Sequence, residues 1–383
     1  MKIVIAPDSF KECASAQEVA AAIAEGVARI VPDAEQVLVP MADGGEGTVD
    51  ALVVATSGTL DECTVAGPLG DPVTALYGIS GDAGTAFIEM ASASGLALVP
   101  PERRDPRLTT TRGTGELMAR ALDRGVTRIV LGIGGSATND AGTGMAQALG
   151  ISLLDEDGKE LGPGGAALAG LARIDDTRRH PGLATCEVLV ACDVDNPLCG
   201  PNGASLIYGP QKGATPPEAC ELDAALRHFG EVVQDQLGTT ILDMPGAGAA
   251  GGLGAGLVAF AGAQLAGGAD LVAEVSKLDE RLTGADLVIT GEGMLDRQTV
   301  SGKTPIGVAR IAQRHGIPVI ALAGALGEGY RDVYDHGITA AFAICTHPMT
   351  LEKSVERTKE LLADTAEAVL RAWLTGKGIE HCP

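Results

Sequence analysis

The chain has 383 residues, 45% of them hydrophobic and 20% charged, which excludes a disordered chain and suits about two domains. Its formal charge of 28 − 50 = −22 repels nucleic-acid phosphates and anionic membranes. Only 3% of residues are aromatic, so the stacking platforms of single-strand binders are missing, and neither nucleic acid nor membrane is an expected partner.

The first unit reads strand, loop, helix, strand. Residues 2–6 are a short apolar strand, 7–14 a polar loop, and 15–30 carry helical spacing. Ser15 followed by Glu18 is a capping-box pattern. A second strand at 35–40 completes a βαβ opening, which requires parallel strands. The middle of the chain is richer in glycine blocks, with strands expected at 86–89, 128–132 and 187–192. The opening pattern then returns: a strand at 287–289, a helix at 305–315, strands at 319–322 and 338–344, and one long closing helix over 351–373. These readings give an α/β chain: a Rossmann-like parallel-sheet domain from residues 1–66 plus 279–383, interrupted by an inserted second α/β domain at 67–278. The active-site cleft is expected between the two domains.

No leader-like apolar segment opens the sequence, and no uninterrupted apolar run reaches about 18 residues. The eight cysteines form no Cys-x-x-Cys pair, so reduced core thiols and a cytoplasmic location are expected. The sequence leaves a homo-oligomer open.

Ligands bind at the carboxyl ends of strands in open parallel sheets. Four such ends in the outer domain carry polar or glycine-rich loops: Asp8-Ser9-Phe10-Lys11, residues 42–48 with Asp43 and Glu46, residues 290–297 with Glu292, Asp296 and Arg297, and residues 323–326. Hard carboxylate oxygens of this kind suit Mg2+ and general-base work. Lys11, Arg297, Lys303 and Lys212 supply positive charge for an anionic substrate. In the inserted domain, residues 132–140 follow a strong apolar strand and are expected to open a helix, presenting Gly134, Gly135, Ser136 and Asn139 to phosphate oxygens. Residues 110–116 look like a smaller version of that loop, and 245–256 is a further glycine-rich stretch. Ser301-Gly302-Lys303-Thr304 is not a P-loop, because Arg297 stands where the motif needs glycine.

Taken in order, these blocks resemble the type-1 glycerate kinase family of bacteria. The resemblance spans essentially the whole chain and rests on residues 5–11, 42–48, 87–91, 111–116, 134–140, 191–194, 209–213, 245–252 and 290–293. Small departures from the family pattern are Ala141, where a glycine is expected, and Met294-Leu295. The resemblance implies ATP-dependent phosphorylation of D-glycerate to 2-phosphoglycerate, with ATP and Mg2+ as cofactors. A dinucleotide oxidoreductase is the competing reading, but the first strand–helix turn holds Asp8-Ser9-Phe10-Lys11 instead of Gly-x-Gly-x-x-Gly. A non-catalytic binding relative is the third reading, against which stand the acids and lysines kept in the loops.

Residue roles are assigned on chemistry. Asp193, at the end of an apolar strand where burial and a neighbouring metal could both tune it, is taken as the base or substrate-orienting acid, with Lys11 and Asp43 as the other catalytic residues. Gly134, Gly135, Ser136, Asn139 and Lys212 are assigned to the nucleotide. Asp8, Ser9, Lys11 and Arg297 are assigned to glycerate, and Glu292 and Asp296 to the metal.

Overall fold

A computed structural model of the protein describes residues 1–11 and 13–376, with Ser301 described by its backbone alone. Cys382 lies outside the described residues. The cysteines within them are free. The strands run in chain order Lys2–Ile5 (β1), Glu35–Leu38 (β2), Thr59–Ala66 (β3), Pro72–Ile79 (β4), Thr85–Glu89 (β5), Arg128–Gly132 (β6), Ser152–Leu154 (β7), Arg173–Asp175 (β8), Glu187–Ala191 (β9), Gln264–Ala266 (β10), Leu287–Leu295 (β11), Val319–Leu326 (β12) and Ala340–Ala343 (β13).

The chain forms two units. Unit 1 comprises Met1–Asp43, Asp50–Thr56 and the residues from Gly268 on. Its sheet has the order β13-β12-β11-β1-β2, and every pairing is parallel. Ile3, Ile5, Leu287, Ile289, Ile320 and Leu322 are buried against the helices Ala16–Ala28 and Thr358–Gly376, which share one core cluster with the sheet. Buried apolar runs without alternation are what a parallel sheet covered by helices demands. Ser15 closes the expected capping box with Glu18.

Three sequence expectations in this unit need correction. The strand expected at 287–289 runs on to Leu295, and its neighbour to Leu326, so residues 290–295 and 323–326 are strand and not loop. The pairing continues because Glu292 opposes Ala323 and Met294 opposes Ala325, small partners that let the two backbones stay in register. The single closing helix is two, Leu351–Glu356 and Thr358–Gly376, with Arg357 off helical geometry at φ −101°, ψ 10°.

Unit 2 comprises Gly44–Val49 and Ser57–Gly267. Its sheet has the order β10-β9-β6-β5-β4-β3, parallel from β10 to β5 and antiparallel from β5 to β3. The sequence reading groups 57–66 with the outer domain and 268–278 with the inserted one. The structure divides them the other way: β3 is the edge strand of the unit 2 sheet, and the helix Gly268–Val275 belongs to unit 1. Gly67, read as the start of a new domain, begins the tight turn of the β3–β4 hairpin, where its N–H donates to the Asp71 carbonyl at 2.7 Å. Among the described residues no helix is long and apolar enough to cross a membrane.

Candidate functional site

In unit 1 the parallel pairing of β1 with β11 sets Ile5 beside Ile289, and the bonding continues past the strand end, with Asp8 N donating to Gly291 O at 2.8 Å. The same register carries Asp8 alongside Glu292. Both line a cavity of about 470 Å3, together with Lys11, Asp43, Asp296 and Lys303. Apolar residues such as Phe10, Ile344 and Val355 form the rest of its wall.

Asp8 is 9% exposed. One carboxylate oxygen accepts from Thr304 Oγ1 at 2.6 Å and the other from Ser9 N at 2.6 Å. Burial, joined by the negative charge of Asp43, raises its pKa to about 6 against the pull of those two donors. Glu292 is 7% exposed and accepts from Thr299 Oγ1 at 2.6 Å, with Lys303 Nζ 3.7 Å from its other oxygen. Burial raises its pKa to about 7, opposed by the Thr299 bond and the Lys303 charge. Asp296 accepts from Gln298 N at 2.8 Å, which fixes one of its oxygens in a turn. The carboxylates of this pocket are the hard donors that Mg2+ takes. Among the described residues no group of three or more His, Cys, Asp or Glu side chains is arranged to hold a metal.

Arg297, assigned to glycerate from sequence, is not part of this cavity. It is exposed, and its Cβ and Nε pack over Gly329. Ser9, Lys11 and Asp43 are in the cavity wall. Sequence reading missed Thr299 and Thr304, whose hydroxyls hold Glu292 and Asp8. The one available signal was Thr304 at a helix start, in a stretch read mainly for its lysine.

In unit 2, β6 runs into residues 133–140. The expected helix does not open there: the next helix is Thr143–Ala148, six residues long and preceded by Gly142 in the left-handed region. Gly134 and Gly135 are exposed, whereas Ser136 is 8% exposed and Asn139 is fully buried. Gly135 has φ +71°, a conformation that glycine adopts without strain. Its carbonyl accepts from Leu96 N at 2.8 Å, and Ala137 N donates to Ser94 O at 3.0 Å. These bonds hold the turn while the N–H groups of Gly134, Gly135 and Ser136 have no acceptor among the described residues. Successive free N–H groups around a left-handed glycine make an anion-binding concavity.

Asn139 faces the interior, where its Nδ2 donates to Ser205 Oγ at 2.9 Å. Its Oδ1 is buried with no hydrogen-bond partner among the described residues. Lys212 is likewise inside unit 2, 2% exposed. Asp140, not singled out from sequence, is fully buried and accepts from Thr111 N and Oγ1, Gly142 N and Gly144 N. Burial raises its pKa against those four donors. Residues 110–116, read as a smaller anion loop, thus serve Asp140 and start the helix Arg112–Asp123. The stretch 245–256 also packs against this turn. A Cβ on Gly251, at φ +69°, would sit 1.9 Å from Thr138 O, so only glycine allows this approach.

Asp193 differs from its expectation. It follows β9 but is exposed, where the sequence reading allowed for burial or a neighbouring metal.

The sequence profile of the glycerate kinase family matches residues 3–374. A glycerate kinase from Halalkalibacterium halodurans is 53% identical over 97% of this chain and 98% of its own. A glycerate 2-kinase from Escherichia coli K12 is 54% identical over 92% of this chain and 93% of its own. The crystal structure of a Salmonella typhimurium LT2 protein assigned as glycerate kinase 2 superposes with a TM-score of 0.91 at 51% identity. That match covers 99% of this chain and 100% of the other.

Proposed function

We propose, on the footing that this chain belongs to the glycerate kinase family, that it transfers the γ-phosphoryl group of ATP to the 2-hydroxyl of D-glycerate, giving ADP and 2-phosphoglycerate. The observation that carries this reading is the unit 1 pocket. There two buried carboxyls with pKa values raised toward neutrality share a wall with Lys11 and Lys303. The choice of the 2-hydroxyl is supported by the name of the Escherichia coli relative.

Phosphoryl transfer asks the protein to hold two substrates, offset phosphate charge and receive one hydroxyl proton. In our reading Lys11 holds the glycerate carboxylate, and Ser9 supports the site through its bond to Asp8. Asp8 orients the attacking hydroxyl and accepts its proton. Its pKa of about 6, raised by burial and by Asp43, makes it a stronger proton acceptor than an ordinary aspartate while leaving it mostly ionised at pH 7. This moves the base role from Asp193 to Asp8. Glu292 and Asp296 are the metal-facing carboxylates, and bound Mg2+ supplies charge neutralisation for phosphate oxygens. Lys303, held near Glu292, adds a positive charge to the same wall. The N–H groups of Gly134, Gly135 and Ser136 take nucleotide phosphate oxygens.

Purified protein supplied with ATP, Mg2+ and D-glycerate should consume both substrates in equal amounts. ATP turnover that is independent of D-glycerate would reject the assignment.

A further inference from the structure

The lysine buried inside unit 2 is costly to keep there. Desolvation lowers the pKa of Lys212 to about 7, with the charge of Asp140 pulling the other way, and a methionine would fill much the same space without a charge to bury. Its ammonium donates to Ser136 Oγ at 2.7 Å and to Thr138 O at 2.7 Å. In its charged form Lys212 has only donors, and Ser136 Oγ is then the acceptor in their bond. The serine hydrogen is then left to donate elsewhere, and among the described residues it has no acceptor. It belongs to the same short turn as the three free N–H groups at 134–136.

We propose that Lys212 is a positioning residue that makes the Ser136 hydroxyl a committed donor to a nucleotide phosphate oxygen. In this arrangement the lysine never touches the ligand. It occupies one of the two lone pairs of Ser136 Oγ, which turns the O–H away from the lysine, and it ties Ser136 to the carbonyl two residues on. The turn thereby presents four donors to an anion: three N–H groups and one O–H. This deepens the proposed function and rests on its reading that the 134–136 turn holds the nucleotide.

The test is a double-mutant cycle on ADP affinity by calorimetry, with the two KM values measured alongside. Ser136→Ala and Lys212→Met should each weaken ADP binding and raise the ATP KM about tenfold or more, the size of one lost bond to a charged group. The glycerate KM should stay within about twofold. The double variant should be little worse than the weaker single one, because both changes remove the same donated bond. Additive losses, equal rises in both KM values, or a drop in Tm with normal ADP affinity would overturn the proposal. Where Lys212→Met does not fold, Ser136→Ala decides alone, and unchanged ADP affinity sinks the idea. Gly134→Val separates this inference from the reading beneath it, since Gly134 has room for a Cβ, with Gly45 Cα 3.5 Å away. Unchanged ADP affinity in that variant rejects the turn as a phosphate site. Weakened affinity there, with Ser136→Ala normal, rejects only the role of Lys212.

Discussion

Replacing Glu292 with glutamine should stabilise the ligand-free protein at pH 8. The carboxyl is 7% exposed, and its pKa is raised from 4.5 to about 7, burial being the main cause. The folded state therefore binds more protons than the unfolded state between those two values. Stability must fall as pH rises through that window and level off above about pH 7. A shift of roughly 2.5 units at ~1.36 kcal/mol each gives a cost of ~3 kcal/mol at pH 8 and almost none at pH 4. Glutamine keeps an oxygen for Thr299 and removes the buried charge, but it leaves Lys303 without its partner 3.7 Å away. A net gain of ~1–3 kcal/mol is expected at pH 8, shrinking steadily toward pH 5. Trp373, the only tryptophan, packs on the core of unit 1, so its fluorescence in urea reports on the unit that holds Glu292. The measurement is the urea midpoint of both proteins at pH 5 and pH 8, in EDTA. An offset of the same size at both pH values, or a destabilised variant at pH 8, would refute the reasoning. Such a gain beside lost activity is the expected mark of a carboxylate kept for chemistry.

The other predictions concern ligand anchors and proton transfer. Lys11→Ala removes a charge-assisted bond worth about 1.5–3 kcal/mol, so initial-rate kinetics should show the glycerate KM rising at least about tenfold and the ATP KM changing little. A larger change in ATP KM would assign Lys11 to the nucleotide. Asp8→Asn should lower kcat at least about 100-fold with ADP affinity preserved, whereas Asp193→Asn should keep most of its turnover. Equal losses in the two variants would return the base role to Asp193. Glu292→Gln and Asp296→Asn should each raise the Mg2+ concentration needed for half-maximal rate, and a Mg2+ titration of activity that superposes on the parent's would exclude both as metal-facing groups.

What could be read from the sequence was what local chemistry decides. Ser15 and Glu18 cap their helix wherever it packs, and the buried apolar runs of β1, β11 and β12 can only serve a covered parallel sheet. The acids at the carboxyl ends of those strands followed from the same logic, and Asp8, Asp43, Glu292 and Asp296 do line one cavity. Burial at the level of a single side chain was not readable. Lys212 looks in sequence like any loop lysine, and only the fold of 209–213 against 136–138 makes it an interior cation. Asp193 follows an apolar strand, a context that promised burial, yet it lies exposed beyond the sheet edge. Thr299 and Thr304 matter through bonds to residues 7 and 296 positions away, and no local pattern encodes such a pairing. The glycine blocks split for the same reason. Gly135 shapes a turn with free donors, while Gly251 exists to let one backbone approach another.

The central claim is the reaction itself, and phosphorus NMR of its product tests it most directly. With ATP, Mg2+ and D-glycerate, the account predicts the signals of ADP and 2-phosphoglycerate growing together. A 3-phosphoglycerate signal in place of the 2-phospho product, or inorganic phosphate alone, would contradict it.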